Sequence, residues 1–398
     1  MELYVHIPFC KKKCLYCDFA SYENREAEMD GYVQALITEA EQQASFCVEA
    51  IETVYIGGGT PSLLPPALLE SLFKALRSIL PLEQVREFTV EANPGTLTES
   101  WLEAALRSGV NRLSLGMQAS QPSLLNRLGR IHCFEDVAAS VSLGRQAGLR
   151  NISLDLMFGI PGQRLSDWAE CLEKALDLHP DHISAYGLIP EPGTLLADRI
   201  NRGEWVLPDP EEERNMYELA INTLASRQFQ QYEISNFSKP GYECAHNIGY
   251  WRQIPYLGLG VSAASMLNLQ KRRRGLSYLR TANPSSLDDY LRMVRRRRWS
   301  QRDRQVILPE EARFETMMLG LRMNSGVSDA EFKLLHGLTP EEAFGSGLKV
   351  SLQKNLLEKK DSTWRLTRRG MDFQNQVLVE LLPDEPWAGS SDAAIKDS

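Results

Sequence analysis

The sequence predicts an α/β fold, an incomplete (β/α)6 TIM-like barrel followed by a small helical, winged-helix-like domain. Three observations carry this. Before residue 200, six short β-rich runs alternate with helical patterns, and such alternation builds βα units around a parallel sheet. After the Pro/Gly-rich EPGTLLADRINRGEWVLPDP at 191–210 the alternation stops and helices dominate. A chain of 398 residues has room for two or three domains at about 150 residues each.

The strand runs are LYVHI from Leu3, TVYIGG from Thr53, EFTVEAN from Glu87, RLSLGMQ from Arg112, NISLDLMFG from Asn151 and HISAYGL from His182. Periodic stretches such as MDGYVQALITEAEQQ and WLEAALRSG lie between them. Six units suit an open barrel better than a closed eight-unit one, and ligands of such sheets sit at the carboxyl ends of the strands. Further on, a helix is expected from Glu211 to about Gln228, then QYEISNF and the Gly-rich YLGLGVSAAS. The last part reads as a helix over Glu311–Met323, shorter helices near Ser328 and Leu348, a strand STWRLT and a helix from Thr367. The expected division is a barrel over 1–205, a connecting region over 206–305, a winged-helix-like domain over 306–383 and a disordered tail over 384–398.

No apolar run approaches the ~20 residues that span a bilayer, and MELYVHIPFCKKKC lacks the plan of a secretory signal. A cytoplasmic protein is expected. The net charge is −8, yet the stretch from Lys271 to Arg304 carries +9, leaving −17 elsewhere. This 271–304 basic band is either a solvated face or a surface attracted to anionic lipid head groups or an acidic partner. Nucleic acid is not an expected partner, because the remainder is acidic and no base-reading helix is recognisable.

Cysteine usage points to chemistry. Of seven cysteines, Cys10, Cys14 and Cys17 form C-x3-C-x2-C just after the first strand. Three thiolates on one short loop can ligate three irons of a [4Fe-4S] cluster and leave the fourth open. A structural zinc site would want a fourth Cys or His at finger spacing, and neither His6 nor Cys47 has it. Lys11, Lys12 and Lys13 within the loop are expected to lower the thiol pKa values, or else to be merely solvated. Cys47, Cys133 and Cys171 read as ordinary buried residues.

With an aromatic residue before its third cysteine, this loop resembles that of radical S-adenosylmethionine (radical SAM) enzymes, and YVHIPFCKKKCLYCDF is similar to its form in the oxygen-independent coproporphyrinogen oxidase (HemN) branch. In that family the open iron is chelated by S-adenosylmethionine, which cluster reduction can cleave to a 5′-deoxyadenosyl radical. The resemblance continues in Gly57-Gly58-Gly59-Thr60-Pro61 at the end of the second strand, where absent side chains would admit the methionine amino group. Glu91 in VEANPG, Gln118 in SLGMQ, Arg130 in LNRLGRIH and Asp155 in LDLMFGIPGQ resemble the residues that hold the family's cofactor. A carboxylate suits a ribose diol or ammonium, and an arginine suits a carboxylate. Tyr4 and Tyr16 match cofactor-contacting positions as well, and packing around the loop explains them equally.

Coproporphyrinogen oxidases carry a further cysteine two residues after the third, and a long extension before the loop. Here Phe19 stands at that position and Cys10 is the tenth residue. Both departures match the HemW branch, regarded as haem chaperones. The segment His246-Asn247-Ile-Gly-Tyr250-Trp251 contains H-N-x-x-Y-W, which resembles the HemW signature proposed to bind haem. A neutral imidazole can ligate haem iron and Tyr or Trp can cover a porphyrin face; a structural histidine beside aromatics is the other reading. The resemblance implies a chaperone carrying a [4Fe-4S] cluster and S-adenosylmethionine that delivers haem to haem-requiring proteins, among them membrane-bound respiratory cytochromes. Peripheral membrane contact through the basic band and a homodimer are further expectations. The enzymatic alternative is coproporphyrinogen III dehydrogenase, an oxidative decarboxylase.

Overall fold

In the computed structural model, which describes residues 1–47, 49–272 and 275–383, six strands lie side by side in chain order. They are β1 (Glu2–Ile7), β2 (Thr53–Gly58), β3 (Glu87–Ala92), β4 (Arg112–Gln118), β5 (Asn151–Phe158) and β6 (His182–Gly187), each parallel to the next. Helices Met29–Gln43, Pro66–Ile79, Glu99–Arg107, Phe134–Gln146 and Leu165–Asp177 make the crossovers. The period-2 pattern explains both faces of the sheet. Val54, Ile56, Leu113, Leu115, Ile152 and Leu154 are fully buried in the main core. At alternate positions Tyr55, Glu91, Arg112, Ser114, Asp155 and Ser184 line one shared cavity. Side chains from successive strands meet in this way only if the sheet curls, so the concave face is polar and the convex face is the hydrophobic core.

The stretch 206–305, expected as a connection, contributes both wings of this sheet. On one side β6 pairs antiparallel with β8 (Asn236–Ser238), which pairs with β7 (Gln230–Gln231). On the other, β9 (Tyr256–Leu259) runs parallel beside β1. Antiparallel strands β10 (Ala264–Arg272), β11 (Gly275–Ala282) and β12 (Asp303–Ile307) follow, completing an open sheet of 12 strands among the described residues. A Cβ at Gly258 would lie 2.0 Å from the Ala264 carbonyl oxygen, so the turn from β9 into β10 requires glycine.

The short helix Ala245–Trp251 bonds to the first residues of β2 and β3. Its first amides point at Glu87, the first residue of β3, whose carboxylate accepts from Ala245 N at 2.8 Å and His246 N at 3.0 Å. An acidic group satisfies the orphan amides of a helix N-terminus and suits its dipole.

Beyond β12, helices Pro309–Gly320, Asp329–His336 and Pro340–Gln353 surround a small sheet of order β13-β15-β14, with β13 (Val327–Ser328), β14 (Leu357–Lys360) and β15 (Thr363–Leu366). Phe332, Leu348, Trp364 and Val377 form its separate core. Ser328 and Thr339 cap two of the helices.

The basic band is not one surface. Arg280 pairs with Glu315, Arg292 with Asp289, and Arg302 is buried against Glu39. Arg295, Arg296, Arg297 and Arg298 are exposed. Arg273 and Arg274, and the tail expected over 384–398, lie outside the described residues. Among the described residues no helix is long and apolar enough to cross a membrane.

Candidate functional site

After β1 ends at Ile7, the chain forms a loop closed at its base by Tyr22 N donating to Pro8 O (2.7 Å) and Cys10 N donating to Tyr22 O (2.9 Å). Leu15 N donates to Leu128 O at 2.9 Å, docking the loop on the segment after β4. Cys10, Cys14 and Cys17 all line one cavity of about 330 Å³ at the carboxyl ends of the strands, within the range of small-molecule sites. Burial pushes the Cys10 and Cys17 thiols up. Lys13 lowers Cys17, as expected of the loop lysines, but burial outweighs it. Lys11 and Lys12 are exposed, Lys12 still lining the cysteine cavity, and Lys13 Nζ donates to Phe19 O (2.9 Å) and Ser21 O (3.4 Å).

The end of β2 packs directly on this loop. A Cβ at Gly59 would sit 2.7 Å from Phe9 O and 3.0 Å from Cys10 Sγ. Gly58, at φ 113°, would clash with the His6 ring at 2.6 Å. From here a hydrogen-bonded chain crosses the carboxyl ends of the sheet. Thr60 Oγ1 donates to Cys10 Sγ (3.7 Å) and accepts from Asn93 Nδ2 (2.8 Å). Asn93 Oδ1 accepts from Arg130 Nη1 (2.6 Å), and Arg130 Nη2 donates to Tyr16 Oη (2.9 Å). Arg130 Nε is buried without a hydrogen-bond partner among the described residues.

Glu91 accepts from Tyr55 Oη (2.8 Å) and Gly58 N (3.1 Å), yet burial pushes its carboxyl up to about 7. Asp155, also raised by burial, accepts from Ser114 Oγ at 3.0 Å. Gln118 takes φ 61° at the end of β4, a strained turn for a non-glycine residue, and its side chain lines the cavity. Tyr16, Gly58, Gly59, Glu91, Gln118, Arg130 and Asp155 thus share one cavity with the three cysteines, with Thr60 bonded into its wall. Tyr4 does not join them. It stacks on Tyr55, bonds His6 Nδ1 at 2.9 Å and lines a neighbouring cavity. Sequence reasoning missed Asn93, Tyr55, Arg112 and Ser114. All but Asn93 sit on the polar period of their strands, a signal that singles out a face but no particular residue.

The H-N-x-x-Y-W residues separate. His246 is 1% exposed, with Nδ1 bonded to Thr53 Oγ1 (2.8 Å), Nε2 to Tyr250 Oη (3.0 Å), and its ring stacked on Tyr55. Both ring nitrogens are engaged, and burial followed by the nearby Arg112 charge lowers it to about 3. Asn247 lines the cysteine cavity. Trp251 lies under the Arg322 guanidinium at 4.5 Å. Tyr250 lines the second cavity, of about 600 Å³, which lies between the β1–β9–β10 edge and helix Pro309–Gly320. Its walls include Tyr4, Phe19, Tyr256, Met266, Arg280 and Met318; Phe19 is common to both cavities.

A curled parallel sheet with three cysteines and a glycine turn at its carboxyl mouth defines a radical SAM protein. The family model of the radical SAM superfamily matches residues 4–175 and that of the HemN C-terminal domain matches 307–373. The haem chaperone HemW of Bacillus subtilis (strain 168) is 36% identical over 381 residues, 95% of this chain and 98% of that protein. HemW of Escherichia coli (strain K12) is 35% identical, covering 96% and 98%. The chain belongs to the HemW family. The solved structure of coproporphyrinogen III oxidase (HemN) from Escherichia coli shares its fold, with TM-score 0.81 at 23% identity over 96% of this chain and 89% of that one. Radical SAM membership implies a [4Fe-4S] cluster and S-adenosylmethionine, and the residues present fit both. Three thiols on one cavity wall are the donor set that such a cluster needs, and Arg130 Nε, without a hydrogen-bond partner among the described residues, has the chemistry to donate to a carboxylate.

Proposed function

We propose that this protein is a haem chaperone that carries a [4Fe-4S] cluster and S-adenosylmethionine and passes haem to haem-requiring acceptors. Cys10, Cys14 and Cys17 would hold the cluster, which supplies one-electron chemistry when bound. Tyr16, Gly58, Gly59, Thr60, Glu91, Gln118, Arg130 and Asp155 would hold S-adenosylmethionine. The chain's own contribution is rigid placement: the Thr60–Asn93–Arg130–Tyr16 chain fixes donors from three strand ends around the thiols.

One observation carries the cargo reading. Beside the cysteine cavity lies a second one of about 600 Å³ walled by aromatic rings, two thioethers, the Arg280–Glu315 ion pair and Asp18. Its size and lining suit a flat amphipathic tetrapyrrole. Membrane-bound respiratory cytochromes fit as acceptors if the exposed arginines at 295–298 bring the protein to anionic lipid.

The test is anaerobic, with reconstituted protein given coproporphyrinogen III, S-adenosylmethionine and reductant in one vessel and haem in another. Stoichiometric haem uptake without protoporphyrinogen is expected. Protoporphyrinogen formation would replace the chaperone with the dehydrogenase.

A further inference from the structure

We infer that Tyr55 is a positioning residue of the S-adenosylmethionine site, its hydroxyl fixing the Glu91 carboxylate so that it faces the cavity and can take a cationic or diol group of the cofactor. The inference rests on the cofactor assignment made under the chaperone reading and adds a residue to it.

Strand β2 builds a cradle for this one carboxylate. Tyr55 Oη donates to Glu91 Oε1 at 2.8 Å, and Gly58 N donates to Oε2 at 3.1 Å. Between the two donors, a Cβ at Gly57 would lie 3.0 Å from Oε2, so the missing side chain lets the carboxylate come this close to the strand. Each oxygen thus takes one donor from β2. An ionised carboxylate has about four acceptor sites, so about two remain for a ligand. Without the phenol, Oε1 has no other donor among the described residues, and the carboxylate is free to turn about its last bond.

The Tyr55 ring is held independently of that bond. It stacks on Tyr4 at 6.3 Å and 26° and on His246 at 5.2 Å and 27°, so a phenylalanine would keep the stack and lose one oxygen. Burial, followed by the nearby Glu91 and Asp155 carboxyls, holds the Tyr55 phenol well above its ordinary range. It therefore stays a donor at neutral pH, and the group that titrates there is Glu91, at about 7. Burial is the largest influence on Glu91, and the Tyr55 bond is the largest that opposes it. Asp155 on β5 adds to the rise, and Arg130 beyond β4 works against it. Tyr4 of β1, Arg112 of β4 and Lys12 of the cysteine loop also face this region, and His6 of β1 packs against Gly58. All of these are retained when only the hydroxyl is removed. A difference between the two titrations then belongs to the hydroxyl.

The experiment is equilibrium dialysis of S-adenosylmethionine against full-length, anaerobically reconstituted protein from pH 6 to 8.5. Wild type, Tyr55→Phe, Glu91→Gln and the double variant are compared, with iron content and circular dichroism reporting on the fold. Tyr55→Phe should move the midpoint of the wild-type profile up by about one pH unit, binding about tenfold more weakly at pH 6 and almost as well at pH 8.5. Added to Glu91→Gln, the same change should have no such effect. Should Tyr55→Phe not fold, 3-fluorotyrosine at position 55, a stronger donor of nearly the same shape, should move the midpoint down. Profiles that differ by one constant factor, or not at all, make Tyr55 a packing residue and overturn the inference while the cofactor reading stands. An effect that survives Glu91→Gln, a midpoint that fluorination leaves in place, or wild-type binding that ignores pH does the same. Wild type that takes up no S-adenosylmethionine overturns both.

Discussion

Two buried carboxyls in this protein ought to make themselves felt through pH, in opposite senses. Glu91 faces the cysteine cavity and burial raises it to about 7 against an ordinary 4.5. If it holds a cationic group of S-adenosylmethionine, only its ionised form does so. Affinity should therefore be flat above about pH 8 and fall by up to about tenfold per unit below 7. Equilibrium dialysis of wild type and Glu91→Gln from pH 6 to 8.5 checks this, and an equal pH dependence in both would remove Glu91 from the site. Glu2, raised to about 9 mainly by burial, acts on folding instead. The native state keeps a proton that the unfolded chain releases above about 4.5, so its contribution is fully present below that value and is lost as pH rises toward 9. Glu2→Gln should raise the urea midpoint more at pH 8.5 than at pH 6, by a margin on the order of 1 kcal/mol per pH unit.

At the level of elements, helix Met29–Gln43 is tied to the basic band by a buried pair. Arg302 and Glu39 are 6% and 0% exposed in their side chains. Glu39 also accepts from Tyr290 Oη (2.7 Å), Asn283 Nδ2 (2.7 Å) and Gly260 N (2.8 Å). Arg302→Met strands this acceptor and should cost about 3–5 kcal/mol. Arg292→Ala, which breaks only the exposed pair with Asp289, should cost at most about 1 kcal/mol. Denaturant midpoints of the two variants decide between a structural arginine and a merely solvated one. What the sequence made legible follows the same physics. The runs from Thr53 and Arg112 have the bounds of β2 and β4, because alternation between core and cavity marks such strands locally. The wings escaped notice because β7 and β8 are two and three residues long, and because β9 is interrupted by Gly258 and pairs with the distant β1. The cysteines were legible by spacing. Asn93 was not, since its role is a hydrogen bond between two residues brought together only by the fold.

Across the whole molecule, charge and packing are unevenly shared. The four exposed arginines at 295–298 begin at the last residue of helix Leu287–Arg295. Near an anionic surface each is worth about 1 kcal/mol, so replacing all four by glutamine should release the protein from phosphatidylserine vesicles and leave neutral vesicles indifferent. Unchanged sedimentation with vesicles would mean that the run serves some other partner. Packing leads to a second consequence. The barrel core and the core around Phe332, Trp364 and Val377 are separate clusters; between them lie a small apolar cluster of Met266, Tyr278, Ile307 and Ala312 and polar contacts: Arg280–Glu315, Arg322 over Trp251, and Gln253 with Thr316. So narrow an apolar seam, set among polar contacts, couples two cores weakly. Calorimetry should then show two transitions, the smaller core melting first. Haem in the 600 Å³ cavity would touch Tyr250 and Met318 on opposite walls, so it binds only while both units are folded. At a hundredfold excess over its dissociation constant it should add about 2.7 kcal/mol to the less stable unit, raising the first transition toward the second. A first transition that stays fixed while haem is bound would place the cargo outside this cavity.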